Sequence, residues 1–161
     1  MRWVKFGSVV LAAAVLEAVL AGWKVKPDFM LVLLVFFSIH SGRRDAIISS
    51  FTIGFAADLV MLGGGMGPRM ISFGLLGTVL SVLAGAVAIR NKVIEGLTIL
   101  AMGLLAGLLS HFLGLIQGQT SAAGGYIAIF LTSLYSAAAG PFLFLLLGRL
   151  MRVKKEPHGI G

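Results

Sequence analysis

Apolar residues run through this chain in stretches of about 15 to 25, and the charged residues fall in the short gaps between them. The runs are continuous. Strands of a transmembrane barrel would alternate polar and apolar positions, so continuous runs of this length select helices. Only 12% of the residues are charged, against about 25% in a soluble domain. Another 58% are hydrophobic and 22 of 161 are glycine. A core of that size has no polar shell to keep it in water, so lipid must be its solvent. At roughly 20 residues per crossing, the chain has room for six spans, short loops and no second domain. The expected class is an all-α, polytopic membrane bundle of six transmembrane helices over residues 1–148, followed by a short basic tail, 149–161.

The spans are expected at Trp3–Gly22, Pro27–Ser41, Asp45–Leu62, Met70–Ile89, Val93–Gln117 and Tyr126–Gly148. Trp3 and Trp23 bracket the first at about 30 Å, the thickness of the hydrocarbon, where indoles favour the two interfaces. The second covers only about 22 Å, so bilayer thinning or burial in protein has to absorb the mismatch. Pro141 should kink the sixth. Ten basic residues lie on the side of the termini, including Arg2, Lys5, Arg43, Arg44, Arg90, Lys92 and the tail, against Lys24, Lys26 and Arg69 opposite. That asymmetry in short segments places both termini in the cytoplasm.

The same charges account for the net +7. They form clusters between spans rather than a basic domain, so no nucleic acid is expected. The tail, with Arg149, Arg152, Lys154 and Lys155, can attract anionic lipid at about 1 kcal/mol per residue. The absence of cysteine excludes disulfides, thiolate metal sites and a cysteine nucleophile. His-Glu-x-x-His and Gly-x-Ser-x-Gly are both missing, and Ser110 and His111, adjacent on a helix, point in different directions. The glycine run ending at Gly67 lacks the lysine and hydroxyl of a phosphate loop and reads as an outer turn. No catalytic residue, metal or cofactor is assigned.

Few ionisable residues lie inside the spans: Glu17, Asp58 and His111, with Glu95 near the start of the fifth. A charge in a membrane costs at least about 2.5 kcal/mol, which makes each a candidate for function. Glu17 shares a face with Ala13, Ala14 and Ala21, Asp58 with Ser50 and Gly54, and His111 with Gly103, Gly107 and Gly114. Such small-residue stripes are where helices pack closely, so the three groups should face protein. Their depth puts them in the outer half, with Asp28 and Arg69 as candidate neighbours. Helix-to-helix bonding, partner docking and a ligand or proton route all remain open for them. Pro27 and Asp28 suit the first turn of the second helix, where a carboxylate meets the positive helix end.

Pro27-Asp28 opening a short apolar helix, the turn Gly42-Arg43-Arg44, the segment Ser50-Phe51-x-x-Gly54-Phe55-x-x-Asp58-Leu59 and the turn ending at Gly67 together resemble the MreD family of bacterial rod shape-determining membrane proteins. Ser50 stands where that family often has glycine, and the three consecutive glycines, Gly63 to Gly65, differ from its usual outer turn. The resemblance implies Pro27, Asp28, Gly54, Asp58 and Gly67 as motif positions. It also implies a non-enzymatic scaffold of the cell-elongation machinery in the bacterial inner membrane, supporting peptidoglycan synthesis. Its implied partners are an MreC-like bitopic protein and, through it, RodA, a transpeptidase and MreB.

The principal rival is a substrate-binding subunit of a small-molecule, vitamin-type transporter, because the MreD family is similar in fold class to such subunits of energy-coupling-factor transporters. Ala14-x-x-x-Ala18 is similar to their docking stripe. Glu17, Asp58 and His111 would supply polar groups to such a pocket, but the outer loops offer few aromatic walls. A channel would need repeated polar residues along one helix face, and no helix has them.

Overall fold

Six α-helices carry the described residues of the computed structural model, which are 3–22, 27–60, 67–86, 92–118 and 125–151. They are α1 (Trp3–Val19, extended by one 3-10 turn, Leu20–Gly22), α2 (Phe29–His40), α3 (Arg43–Val60), α4 (Pro68–Ala86), α5 (Lys92–Ile116) and α6 (Gly125–Met151). There is no strand among the described residues. Helices α5 and α6 are long and apolar enough to cross a membrane, over Val93–Ile116 and Gly125–Leu150. Pro141 lies inside α6, which runs on through Arg149 to Met151. The glycines Gly63 to Gly65 and most of the expected basic tail lie outside the described residues.

The short helix is the centre of the bundle. All five other helices pack on α2, and every residue from Met30 to Ser38 is buried. This answers the length problem: at 12 residues α2 is about 18 Å long, and protein rather than lipid surrounds it. Its uniformly apolar sequence follows, since a helix covered on all sides needs no polar face. Phe37 stacks edge-on against Phe6 of α1, and Phe36 against Phe144 of α6.

The helix boundaries correct one expectation. Pro27 and Asp28 lie before α2 rather than in its first turn: Asp28 is the N-cap, with φ −87° and ψ 94°, and its carboxylate accepts a hydrogen bond from the Leu31 amide. A short carboxylate reaches back to its own helix only from an extended backbone just outside the first turn.

Around α2, glycines set the packing. A Cβ on Gly54 of α3 would stand 2.7 Å from Met70 Cα and 2.9 Å from the Arg69 carbonyl oxygen, so α3 touches the backbone of α4 there. Gly77 makes room for Ser50, Gly107 for Ile129 and Gly140 for Ile99. Ser50, fully buried, donates to the Ala46 carbonyl at 2.6 Å, which satisfies a hydroxyl in an apolar seam. The outward faces are apolar all round the bundle, with Leu11, Val15, Phe55, Leu75, Val79, Leu105, Phe112 and Phe142 exposed. Interior and exterior are both apolar, the pattern of a protein dissolved in lipid.

Candidate functional site

A helix that begins in the interior of a bundle exposes its first four amides to a medium without water, and each needs an acceptor. The α2 amino end is such a case. Its neighbour on α6 is Ser136, 11 residues or about 16 Å from the start of that helix. Three side chains supply acceptors: Ser136, Glu17 and Asp28. The Asp28 amide donates to Ser136 Oγ at 2.7 Å, and that hydroxyl donates in turn to the Thr132 carbonyl at 2.8 Å. The Met30 amide donates to Glu17 Oε1 at 3.1 Å. The Leu31 amide donates to Asp28 Oδ1 at 2.9 Å, and the Val32 amide begins the helix's own ladder by donating to the Asp28 carbonyl at 3.3 Å.

Glu17 is therefore a capping group supplied by another helix. Only 2% of its surface is exposed, and its carboxyl lies beside that of Asp28. Arg69 at the head of α4 supplies the opposing charge, with Nη1 3.8 Å from Asp28 Oδ2. Ala14, one turn before Glu17, packs on the core, whereas Ala18 is exposed.

A second cap of the same kind stands beside it. Asp58, near the end of α3, accepts from the amides of Gly67 and Met70 through Oδ2, both at 3.0 Å, and from Arg69 through Oδ1 at 3.2 Å. These are the first amides of α4, and a carboxylate there also meets the positive helix end. The motif spacing now has a mechanical reason. Gly54 lets α3 reach the α4 backbone, Asp58 one turn later lies over the α4 amino end, and Gly67 turns the chain into it at φ 121°, a conformation that glycine adopts without strain.

The structure thus joins Glu17, Asp28 and Arg69 by side-chain contacts and Asp58 through the Arg69 backbone. Pro27 precedes the α2 cap. His111 sits in the α5 and α6 pair, edge-on to Tyr126 with ring centroids 5.1 Å apart and its ring against Gly125. Ser136 escaped sequence reasoning because a serine in an apolar helix usually bonds back to its own backbone. Its one signal was a place among small residues, Ala139 and Gly140, at helical spacing. Chemically the cluster holds helix ends: its acceptors are engaged by amides, and no group of three or more metal-ligating side chains occurs among the described residues.

Comparison with curated proteins and with solved structures gave no match. The family model described as rod shape-determining protein MreD matches residues 1–154 of the 161, a range that holds all six helices and both capped helix starts, and the chain belongs to the MreD family.

Proposed function

We propose that this chain is a six-span, non-enzymatic scaffold of the bacterial cell-elongation complex, with both termini in the cytoplasm of the inner membrane. The family is rod shape-determining and a membrane family. The observation that carries the finer reading is how the buried polar groups are used. Glu17, Asp28, Asp58 and Ser136 are engaged by amides at the starts of α2 and α4. A bundle whose polar side chains fix its own helix ends has its lateral apolar faces left for interaction. In lipid, helices associate through close packing of such faces, which suits the single-span helix of an MreC-like partner and, beyond it, RodA, a transpeptidase and MreB. Anionic lipid at the basic tail would help to hold the cytoplasmic side.

The test is gentle purification from a native bacterial membrane, followed by identification of what stays bound. A stoichiometric single-span partner with elongation enzymes is the expected result. A bound vitamin together with a coupling ATPase would overturn the scaffold reading.

A further inference from the structure

Helices α1 and α6 both pack on α2 and make no extensive contact with each other. Between them lies a groove of about 450 Å³, floored by Phe29, Val32 and Leu33 of α2. The walls include Ala12 and Leu16 of α1 and Leu143, Leu147 and Leu150 of α6. Its lining is apolar except for Ser8 and Lys5 at one end. The Ser8 hydroxyl already donates to the Val4 carbonyl at 2.6 Å, which leaves the Lys5 ammonium as the group that selects an occupant.

Length and charge together identify that occupant. From Lys5 to Leu16 is 11 residues, about 16 Å along α1, or half of the roughly 30 Å hydrocarbon thickness. The groove is thus one leaflet deep. Its polar end lies by the start of α1 and the close of α6, where the exposed Arg149 adds a second cation next to the lining Leu150. An apolar slot one leaflet long, with an ammonium at its interfacial end, matches a phospholipid: an acyl chain along Ala12, Leu16 and Leu143, and an anionic headgroup on Lys5. A partner helix would match the slot's apolar character but would not call for the lysine.

We propose that the groove between α1 and α6 is a site for one anionic phospholipid of the cytoplasmic leaflet, held by Lys5. The proposal rests on the membrane orientation given above and not on the elongation-complex partners. A lipid bound there fills the gap between two helices that otherwise meet only through α2, and it would steady the terminal helices against each other.

The floor makes the test specific. Phe29 is half-buried on the floor, and the exposed Phe142 and Leu145 of α6 lie outside the groove, so these positions separate lipid in the groove from lipid that merely surrounds the protein. The full-length purified chain is reconstituted in vesicles of equal parts phosphatidylcholine and phosphatidylglycerol, with a trace of either lipid carrying a photoactivatable acyl chain. The adducts are then mapped by peptide mass spectrometry. The phosphatidylglycerol probe should label Phe29 in preference to the phosphatidylcholine probe. Lys5→Gln should lower that labelling about fivefold, equivalent to about 1 kcal/mol for one lysine at an anionic surface. Lys5→Arg and Arg44→Gln should retain it. Ala12→Phe, at an exposed wall position, should block it while the protein elutes as a folded species.

Labelling confined to exposed residues outside the groove, such as Phe142 and Leu145, equal labelling by the two probes, or indifference to Lys5→Gln would each overturn the site. So would recovery from the native membrane of a protein segment crosslinked to Phe29 in place of lipid. Because the vesicles hold only the purified chain, failure here is separate from failure to recover elongation partners. Single cysteines at Gly22 and Gly42, in a chain without any, report the orientation independently.

Discussion

Removing the Asp58 carboxylate tests whether the buried polar cluster is a set of helix caps. In Asp58→Ala three amides, those of Gly67, Arg69 and Met70, lose acceptors at 3.0, 3.2 and 3.0 Å. Each orphaned buried donor costs about 1 to 3 kcal/mol. A single cap replaced by alanine costs about 0.5 to 2 kcal/mol in water. Asp58 is half-buried, so solvent can reach part of the site and the low end applies per bond, for a loss of about 2 to 4 kcal/mol over the three. Asp58→Asn keeps one oxygen. Placed at Oδ2, it still accepts from Gly67 and Met70, and it loses the charge and the Arg69 bond, for about 1 to 2 kcal/mol. The measurement is the midpoint of SDS-driven unfolding in mixed micelles, followed by circular dichroism. The expected order of stability is wild type, then Asn, then Ala. A change under about 0.5 kcal/mol for Ala, within the range of an ordinary surface substitution, would refute the capping argument. Equal losses for Ala and Asn would show that charge rather than hydrogen-bond geometry is what matters.

Four further outcomes follow from the same contacts. Asp58→Leu should reduce partner recovery in co-purification more than Glu95→Leu, because Glu95 is in the first turn of α5, where a helix end contributes only about 0.3 to 1 kcal/mol. Glu17→Leu orphans the Met30 amide and should lower stability by about 1 to 3 kcal/mol, whereas Glu17→Gln keeps an acceptor and should stay close to wild type by SDS titration. Gly54→Ala drives a methyl into the α4 backbone and should cost about 1 to 3 kcal/mol. Gly96→Ala, whose Cβ would meet only the Ala137 carbonyl at 3.5 Å, should be neutral or slightly stabilising in the same assay. A thiol reagent that cannot cross membranes should label Gly22→Cys and spare Gly42→Cys in intact spheroplasts; the reverse pattern would invert the orientation.

Much of the bundle is legible in the sequence because the relevant forces are local. Helix follows from unbroken apolar runs, since lipid offers no acceptor to a backbone left open. The observed helices begin within two residues of the expected starts, as at Arg43 for α3 and Lys92 for α5. The largest functional difference comes at α2, where Asp28 stands outside the helix it was expected to open. Residues such as Asp58 and Glu17 are conspicuous because a carboxylate in an apolar run is costly, and small residues one turn away mark the face they take. Which amides they reach is not legible, because the donors lie 9 to 13 positions along the chain, at the start of the next helix. Ser136 is harder still, at 108 positions from Asp28.

What the sequence determined by itself is the solvent and the class: apolar helices with most of the charge in the gaps have no soluble solution, and the motif from Pro27 to Gly67 marks the family. Only the tertiary structure decided the arrangement. It put the shortest helix in the middle, where no bilayer thickness has to be matched, and turned three carboxylates into the caps of α2 and α4. The physical reason is that apolar runs look alike to a local reading, whereas an amide without water accepts whichever oxygen the packing brings within 3 Å, and that is fixed by how glycines such as Gly54 let the helices approach.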